Sequence, residues 1–240
     1  MQEMKTAQPL IEQVDEQVLK SNVERVLKTL EENRYQSEAP AKLIAVTKTV
    51  APRVINQLKG LGVLDIGENR AQVALPKLPE IAPEFRLHWI GRLQTNKVKD
   101  IIDTVCMLHS LDRIELAREV DRRARQHDRV LPALVQVNIA GEEQKGGMPV
   151  QEVEGFLREM RNYPNIHVEG LMAIMPLGAS EEELDRLFGE MRKLFEQMRG
   201  LNIEGVEMRE LSMGMSNDYR IAARNGATMV RVGTALYRED

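Results

Sequence analysis

Two constellations in this chain could carry chemistry: one amine near the start and one anion cradle near the end. Lys48 closes the run Leu43-Ile44-Ala45-Val46-Thr47-Lys48, and Thr49, Val50, Ala51 and the helix-start residue Pro52 follow it. An amine at the point where an interior strand empties into a loop lies on the catalytic rim if the fold is a barrel. It is suited there to Schiff-base chemistry with a carbonyl compound. The bland alternative is a lysine that only snorkels out of a strand end.

The second constellation spans the last two apolar runs. Leu211-Ser212-Met213-Gly214-Met215-Ser216 leads into Asn217 through Arg224, with Asn225-Gly226 as a stop. Ser216 therefore reads as an N-cap, and the free N–H groups of the helix behind it would suit a phosphate. The next run, Val230-Arg231-Val232-Gly233-Thr234, ends in a glycine that lets backbone approach an anion and a threonine that adds a hydroxyl. Ser212, Ser216, Gly233 and Thr234 thus outline a phosphate cup, unless they are two unrelated turn caps. Arg231 stands two residues before Gly233 and so faces the same side of its strand. It needs an acceptor, which could be a ligand ring nitrogen, a phosphate or a carboxylate such as Glu210.

The elements that must position these groups are legible in the apolar pattern. Strands are expected to begin near Leu43, Leu64, Arg86, Met107, Ala133, His167, Met208 and Thr228, with helical periodicity between them. Leu10, Ile11, Val14, Val18, Leu19, Val26, Leu27 and Leu30 predict a long amphipathic helix ahead of the first strand. Asp112 is expected to cap a helix, Pro149 to open one, and Ser180 with Glu183 to form a capping box before a helix that stops at Gly200. Strand–helix alternation implies a parallel sheet. Eight such strands in 240 residues predict a TIM-type (β/α)8 barrel with an extra N-terminal helix, one α/β domain over 1–240. In that fold the loops after strands seven and eight form the recurrent phosphate site.

Composition narrows the class. A net charge of −4 gives no global case for nucleic acid or an anionic membrane. The one cysteine, Cys106, excludes an intramolecular disulfide and a zinc cluster, and it reads as a small core residue. No metal is expected. No signal-peptide stretch or transmembrane-length run is present, so a cytoplasmic location is expected.

A phosphate cup on one side of a barrel and a lysine across it is what pyridoxal 5′-phosphate (PLP) requires. Several motifs lead to the same place: Ala45-Val46-Thr47-Lys48-Thr49, Ile66-Gly67-Glu68-Asn69 with Gln72, and His88 through Lys97. Others are Val137-Asn138-Ile139 with Lys145-Gly146-Gly147, Gly170-Leu171-Met172, Ser212 through Asp218, and Val230 through Thr234. Over about Leu43 to Leu236 the chain resembles the pyridoxal phosphate homeostasis proteins, which have an alanine-racemase-like barrel. The resemblance implies that Lys48 is the Schiff-base lysine. It implies that Ser212, Ser216, Gly233 and Thr234, with backbone around Met213, hold the phosphate. Arg231 would face the pyridine ring, and Asn69 and Met172 would line the pocket. Thr47 departs from the commoner serine but keeps a hydroxyl, and Arg238 stands where the family often has glycine. His88 and the Gly91-to-Lys97 stretch belong to the family signature without an evident physical role; Gln94, Asn96 and Lys97 could simply shape a loop. The glycines after Lys145 suggest a mobile turn or a lid.

The expected function is a PLP-binding carrier that stores, buffers or delivers this vitamin B6 cofactor through a reversible Schiff base, without turnover. Its partners would be PLP and related vitamers, with PLP-dependent apoenzymes as candidate recipients, and the chain would be a monomer. One alternative is a PLP-dependent amino-acid racemase. Racemisation needs a base on each face of the substrate, and racemases take the second from a separate domain that is not expected here, with Asp240 six residues after Thr234. A sugar-phosphate aldolase would use the lysine and the cup equally well, but would not account for the motifs.

Overall fold

Eight parallel strands close on themselves in sequence order, and β1 pairs with both β2 and β8. The strands are β1 Lys42–Val46, β2 Asp65–Glu68, β3 Arg86–Trp89, β4 Val105–Leu111, β5 Leu131–Val137, β6 Ile166–Ala173, β7 Val206–Met215 and β8 Met229–Val232. The helices are α1 Glu16–Glu32, α2 Pro52–Gly60, α3 Ala71–Ala74, α4 Val98–Ile101, α5 Ile114–Gln126, α6 Val153–Glu159, α7 Glu181–Gly200, α8 Tyr219–Arg224 and α9 Thr234–Tyr237. Each expected strand start falls within two residues of the observed one. The structure is a computed structural model, and it describes residues 9–36, 38–142 and 146–239. Lys145 lies outside them.

The strands are buried on both faces, and most of what they bury is apolar. A large cluster packs between sheet and helices, including Leu43, Ala45, Val135, Leu171 and Val232 from the strands and Leu116, Leu187, Phe188 and Phe195 from the helices. Burying a side chain of that size contributes about 1.5–3 kcal/mol each. A small second cluster, Ile44, Met107, Leu134, Met172 and Met229, fills the barrel interior. Cys106, expected as a small core residue, is only partly buried and packs against this cluster; burial pushes its thiol up to about 12. No helix among the described residues is long and apolar enough to cross a membrane.

Two of the helix boundaries that depart from expectation lie away from the site. Leu10, Ile11 and Val14 do not belong to α1. Asp15 caps it instead, its carboxylate accepting from the Gln17 and Val18 amides. Ile11 lies beside the loop after β1, donating to the Thr49 carbonyl at 2.7 Å and accepting from the Ala51 amide at 3.1 Å. The apolar pattern continued past the real start because this strap also buries apolar residues. Asp112 does not cap α5; its carboxylate is taken by the Arg113 guanidinium, and Arg113 occupies the cap position without a side-chain bond. Ser180 does cap α7, accepting from the Glu183 amide at 3.2 Å, and Gly200 ends that helix.

The extra helix α1 is tied to the far end of the chain. The buried Asn22 side chain donates to the carbonyls of Leu236 at 3.1 Å and Arg238 at 2.8 Å. The last turn, which carries Thr234, is thereby anchored.

The neck between β6 and β7 leaves no room for a side chain at Gly170. Its φ is +151°, and an added Cβ would overlap the Glu210 carbonyl oxygen. Gly170→Ala should cost about 2–4 kcal/mol of unfolding free energy, measured by urea denaturation. A loss below about 1 kcal/mol would show that these two strands separate easily.

Candidate functional site

Lys48 stands two residues beyond β1, exposed on the C-terminal rim, and makes no hydrogen bond or ion pair with any described residue. The backbone beneath it is fixed by a buried ion pair. Lys77, only 4% exposed, donates to the Thr47 carbonyl at 2.8 Å and to Glu68 Oε1 at 2.9 Å. The Thr47 hydroxyl donates to the same carboxylate oxygen at 2.8 Å, so the hydroxyl at this position is structural. Glu68 Oε2 is buried without a partner among the described residues, as is the Tyr237 hydroxyl. Burial, with the Glu68 charge adding to it, pushes the Tyr237 phenol up. A cavity of about 390 Å³ opens beside Lys48 and is bordered by Asn69 and Gln72. A larger one of about 780 Å³ adjoins it, bordered by Asn69, Arg92, Gln94, Asn96 and Lys97.

Asn69 follows β2 directly, and its placement depends on Gly91. A Cβ there would come within 2.8 Å of Asn69 Cα. Ser110 Oγ donates to the Gly91 carbonyl at 2.6 Å, and Arg113 donates to the Leu93 carbonyl at 2.8 Å. The stretch from Gly91 to Lys97 is a loop and one short turn, with Lys97 paired to Asp100 at 3.2 Å.

On the other side of Lys48, the two last loops are stitched together by Ser216. Its hydroxyl oxygen accepts from the Gly233 amide at 3.0 Å and the Ala235 amide at 3.4 Å. This corrects the expectation that Ser216 caps the following helix. α8 starts at Tyr219, and Asp218 holds the cap position, accepting instead from the Met215 amide. The pattern Ser-Asn-Asp offers three capping residue types in a row, and the sequence does not rank them. Gly233 lies against Val46, its would-be Cβ 3.4 Å from Val46 Cβ, so the β8 loop adjoins the strand that leads to Lys48. Thr234 is exposed at the start of α9.

Arg231 is 3% exposed inside the barrel. Its Nη1 donates to Ser212 Oγ at 2.6 Å and its Nη2 to the Ala173 carbonyl at 2.8 Å. Glu210 is not its partner, because that carboxylate accepts from Thr228 Oγ1. Burial pulls the guanidinium down to about 10, opposed by the charge of Asp218, so Arg231 keeps its proton at neutral pH. Ser212 is fully buried and already bonded, whereas Met213 turns its side chain outward into the helix-facing core and offers only backbone. Met172 lies in the interior cluster. The named residues thus sit on five consecutive strands or the loops after them, β6, β7, β8, β1 and β2.

A family model for the alanine racemase N-terminal domain matches residues 14–240. The pyridoxal phosphate homeostasis protein of Aquifex aeolicus is 38% identical over 218 residues, 90% of this chain and 94% of that one. This chain belongs to that family. PipY of Synechococcus elongatus PCC7942, solved with PLP bound, superposes with a TM-score of 0.81 at 29% identity, over 92% of this chain and all of PipY. The alanine racemase of Clostridium difficile 630 shares the fold alone, with a TM-score of 0.78 at 15% identity, over 95% of this chain and 58% of the racemase.

Sequence reasoning missed Lys77, Asp65 and His109. Lys77 lies in a short 3-10 helix, Leu75–Glu80, whose two prolines leave no α-helical periodicity to mark it as buried. Asp65 and His109 could have been found as polar residues at inward positions of short strands.

Glu68 and Lys77 support each other inside the protein. Lys77→Met strands a buried carboxylate and should cost about 3–5 kcal/mol. Adding Glu68→Gln should recover much of it, as read by urea denaturation of the single and double variants. Equal losses in both would assign the effect to packing instead.

Proposed function

We propose that this chain binds PLP reversibly and serves to store, buffer or deliver it, without turning over a substrate. The observation that carries the reading is a rim lysine just beyond β1, without a hydrogen-bond or ion-pair partner among the described residues, together with a buried arginine on the adjoining β8. The residues present fit the group. Lys48 offers an amine that nothing else in the described structure engages, and Arg231 offers N–H donors from a fixed guanidinium. The hydroxyl protons of Ser216 and Thr234 and the backbone around Met213 offer polar contacts for a phosphate, with the Gly233 amide tied to Ser216 Oγ.

When bound, PLP supplies an aldehyde carbon for a Schiff base and a pyridine ring able to accept electron density. Lys48 would supply the amine that holds PLP through that carbon, with one water released as the linkage formed. Hydrolysis, or transfer to another amine, reverses the attachment, which is the property a carrier needs. Ser212 and the Ala173 carbonyl hold Arg231 in place. Donating to a ring nitrogen without surrendering its proton, Arg231 would leave that nitrogen unprotonated and the ring a weak electron sink. That favours the carrier over a racemase, as does the name borne by the Aquifex relative. Asn69 and Met172 would border the ring.

The same reading takes residues 1–240 as one PLP-binding domain that acts as a monomer in the cytoplasm. The exposed large apolar residues, Leu27, Val130, Leu177 and Met215, are scattered over separate elements rather than gathered in a patch. PLP-dependent apoenzymes and other B6 vitamers are the partners this chemistry would serve.

Equilibrium dialysis with PLP, alongside an absorption titration, tests the division of labour. Lys48→Ala should lose the violet absorption band yet keep weaker, phosphate-anchored binding. Ser216→Ala and Thr234→Ala should each keep the band and raise the Kd by about tenfold. Loss of all binding in Lys48→Ala would show that the cup contributes little. Amino-acid racemisation by the unaltered protein would overturn the carrier assignment.

A further inference from the structure

His88 and His109, to which the carrier function assigns no role, lie in a continuous line of polar side chains running through the barrel. At the N-terminal mouth, Arg86 donates to both oxygens of Asp65, at 2.9 and 2.5 Å. Asp65 Oδ1 is 2.8 Å from His88 Nε2, and His88 Nδ1 is 2.9 Å from His109 Nε2. His109 Nδ1 is 3.0 Å from Ser212 Oγ, which Arg231 meets at 2.6 Å. Asp65 and Arg86 open β2 and β3, whereas Arg231 is near the end of β8, so the line joins one mouth of the barrel to the other. Every member but Arg86 is buried.

The two ends fix the direction of every bond between them. Arg231 can only donate and an ionised Asp65 can only accept. Burial alone would raise the Asp65 carboxyl, but hydrogen bonds from His88 and Arg86 outweigh it and hold it well below the usual range. Because Ser212 accepts from Arg231, its own proton must go to another acceptor, and His109 Nδ1 is the one within reach. His109 must then carry its proton on Nε2 and donate it to His88 Nδ1. His88 in turn carries its proton on Nε2 and donates to Asp65. Both imidazoles are neutral in this arrangement and no donor is wasted. The reverse polarity would require an imidazolium at His88 and would leave the Ser212 proton without an acceptor, a cost of about 1–3 kcal/mol in a buried site. Burial also pushes His109 well below the usual histidine range; His88, Arg231 and Lys42 add to it and the charge of Asp65 opposes it.

We propose that His88 and His109 are positioning residues for the cofactor site: they form a one-way hydrogen-bond chain, anchored on the Asp65–Arg86 pair, that locks Ser212 as an acceptor and so fixes the Arg231 guanidinium. This rests on the reading that Arg231 meets the pyridine ring. It gives Ser212 a role different from a phosphate ligand, since its oxygen and its proton are both committed inside the chain.

Two measurements test it. With ¹⁵N-histidine label in the unaltered, cofactor-free protein at pH 7, long-range ¹H–¹⁵N correlation reads the tautomer of each of the four imidazoles. His88 and His109 should both be neutral and protonated on Nε2. An imidazolium at His88, or a proton on His109 Nδ1, overturns the chain without touching the PLP reading. With PLP added, His109→Leu should shift the absorption maximum and raise the Kd about tenfold, a typical effect of an outer partner on a bound group. Borohydride should still label Lys48. His109→Asn, whose Oδ1 replaces Nδ1 as the acceptor for Ser212, should recover most of the loss. A folded His109→Leu with unaltered maximum and Kd overturns the positioning role. Failure of the unaltered protein to bind PLP sinks the functional reading, and the tautomers still decide the chain.

Discussion

Lys42 through Ala45 of β1 pair with Met229 through Val232 of β8, and this seam between the first and last strands closes the sheet. Without it, Lys48 and the loop at Gly233 would be nearly the whole chain apart. With it, Gly233 packs on Val46, and Ser216 bridges from the β7 loop to the β8 loop. The closure is also what makes the interior small and dry. Polar side chains pointing inward there are costly to bury, which favours partners within the protein.

That constraint accounts for the style of the site. The loop that presents Lys48 is held from below by a buried ammonium, Lys77, shared between a carbonyl and a carboxylate. Removing two charges from water costs several kcal/mol per ion, which mutual attraction and added hydrogen bonds only offset. Such a pair is better understood as a register device than as a source of stability. It fixes where β1 ends, and hence where the amine emerges. Arg231 is treated likewise, with two of its N–H groups satisfied by Ser212 and Ala173. Arg231 is thus held by hydrogen bonds, whereas Lys48 is exposed.

Much of the fold was legible because apolar runs of four or five residues between helical patterns fit little except strands buried on both faces. The strands came out nearly in place, and so did the cap at Ser180. The errors have local causes. Ile11 continued the apolar rhythm of α1 although it straps the loop after β1, because burial against the same core produces the same pattern. Ser216 was one of three adjacent capping types, and only the contact with Gly233, seventeen residues on, shows what its hydroxyl does. The interior chain was hidden for a deeper reason. His88 and His109 are twenty-one residues apart, and their meeting depends on how β3 pairs with β4, whose register shifts between Leu87 and His88.

The central claim, that Lys48 is the covalent anchor of the cofactor, is tested most directly by borohydride reduction of the unaltered protein after addition of PLP, followed by intact mass and peptide mapping. One reduced pyridoxyl phosphate adduct per chain is expected, confined to the peptide containing Lys48. An unmodified mass, or label spread over the surface lysines with Lys48 untouched, would contradict it and leave Lys48 a solvated cation at the end of a strand.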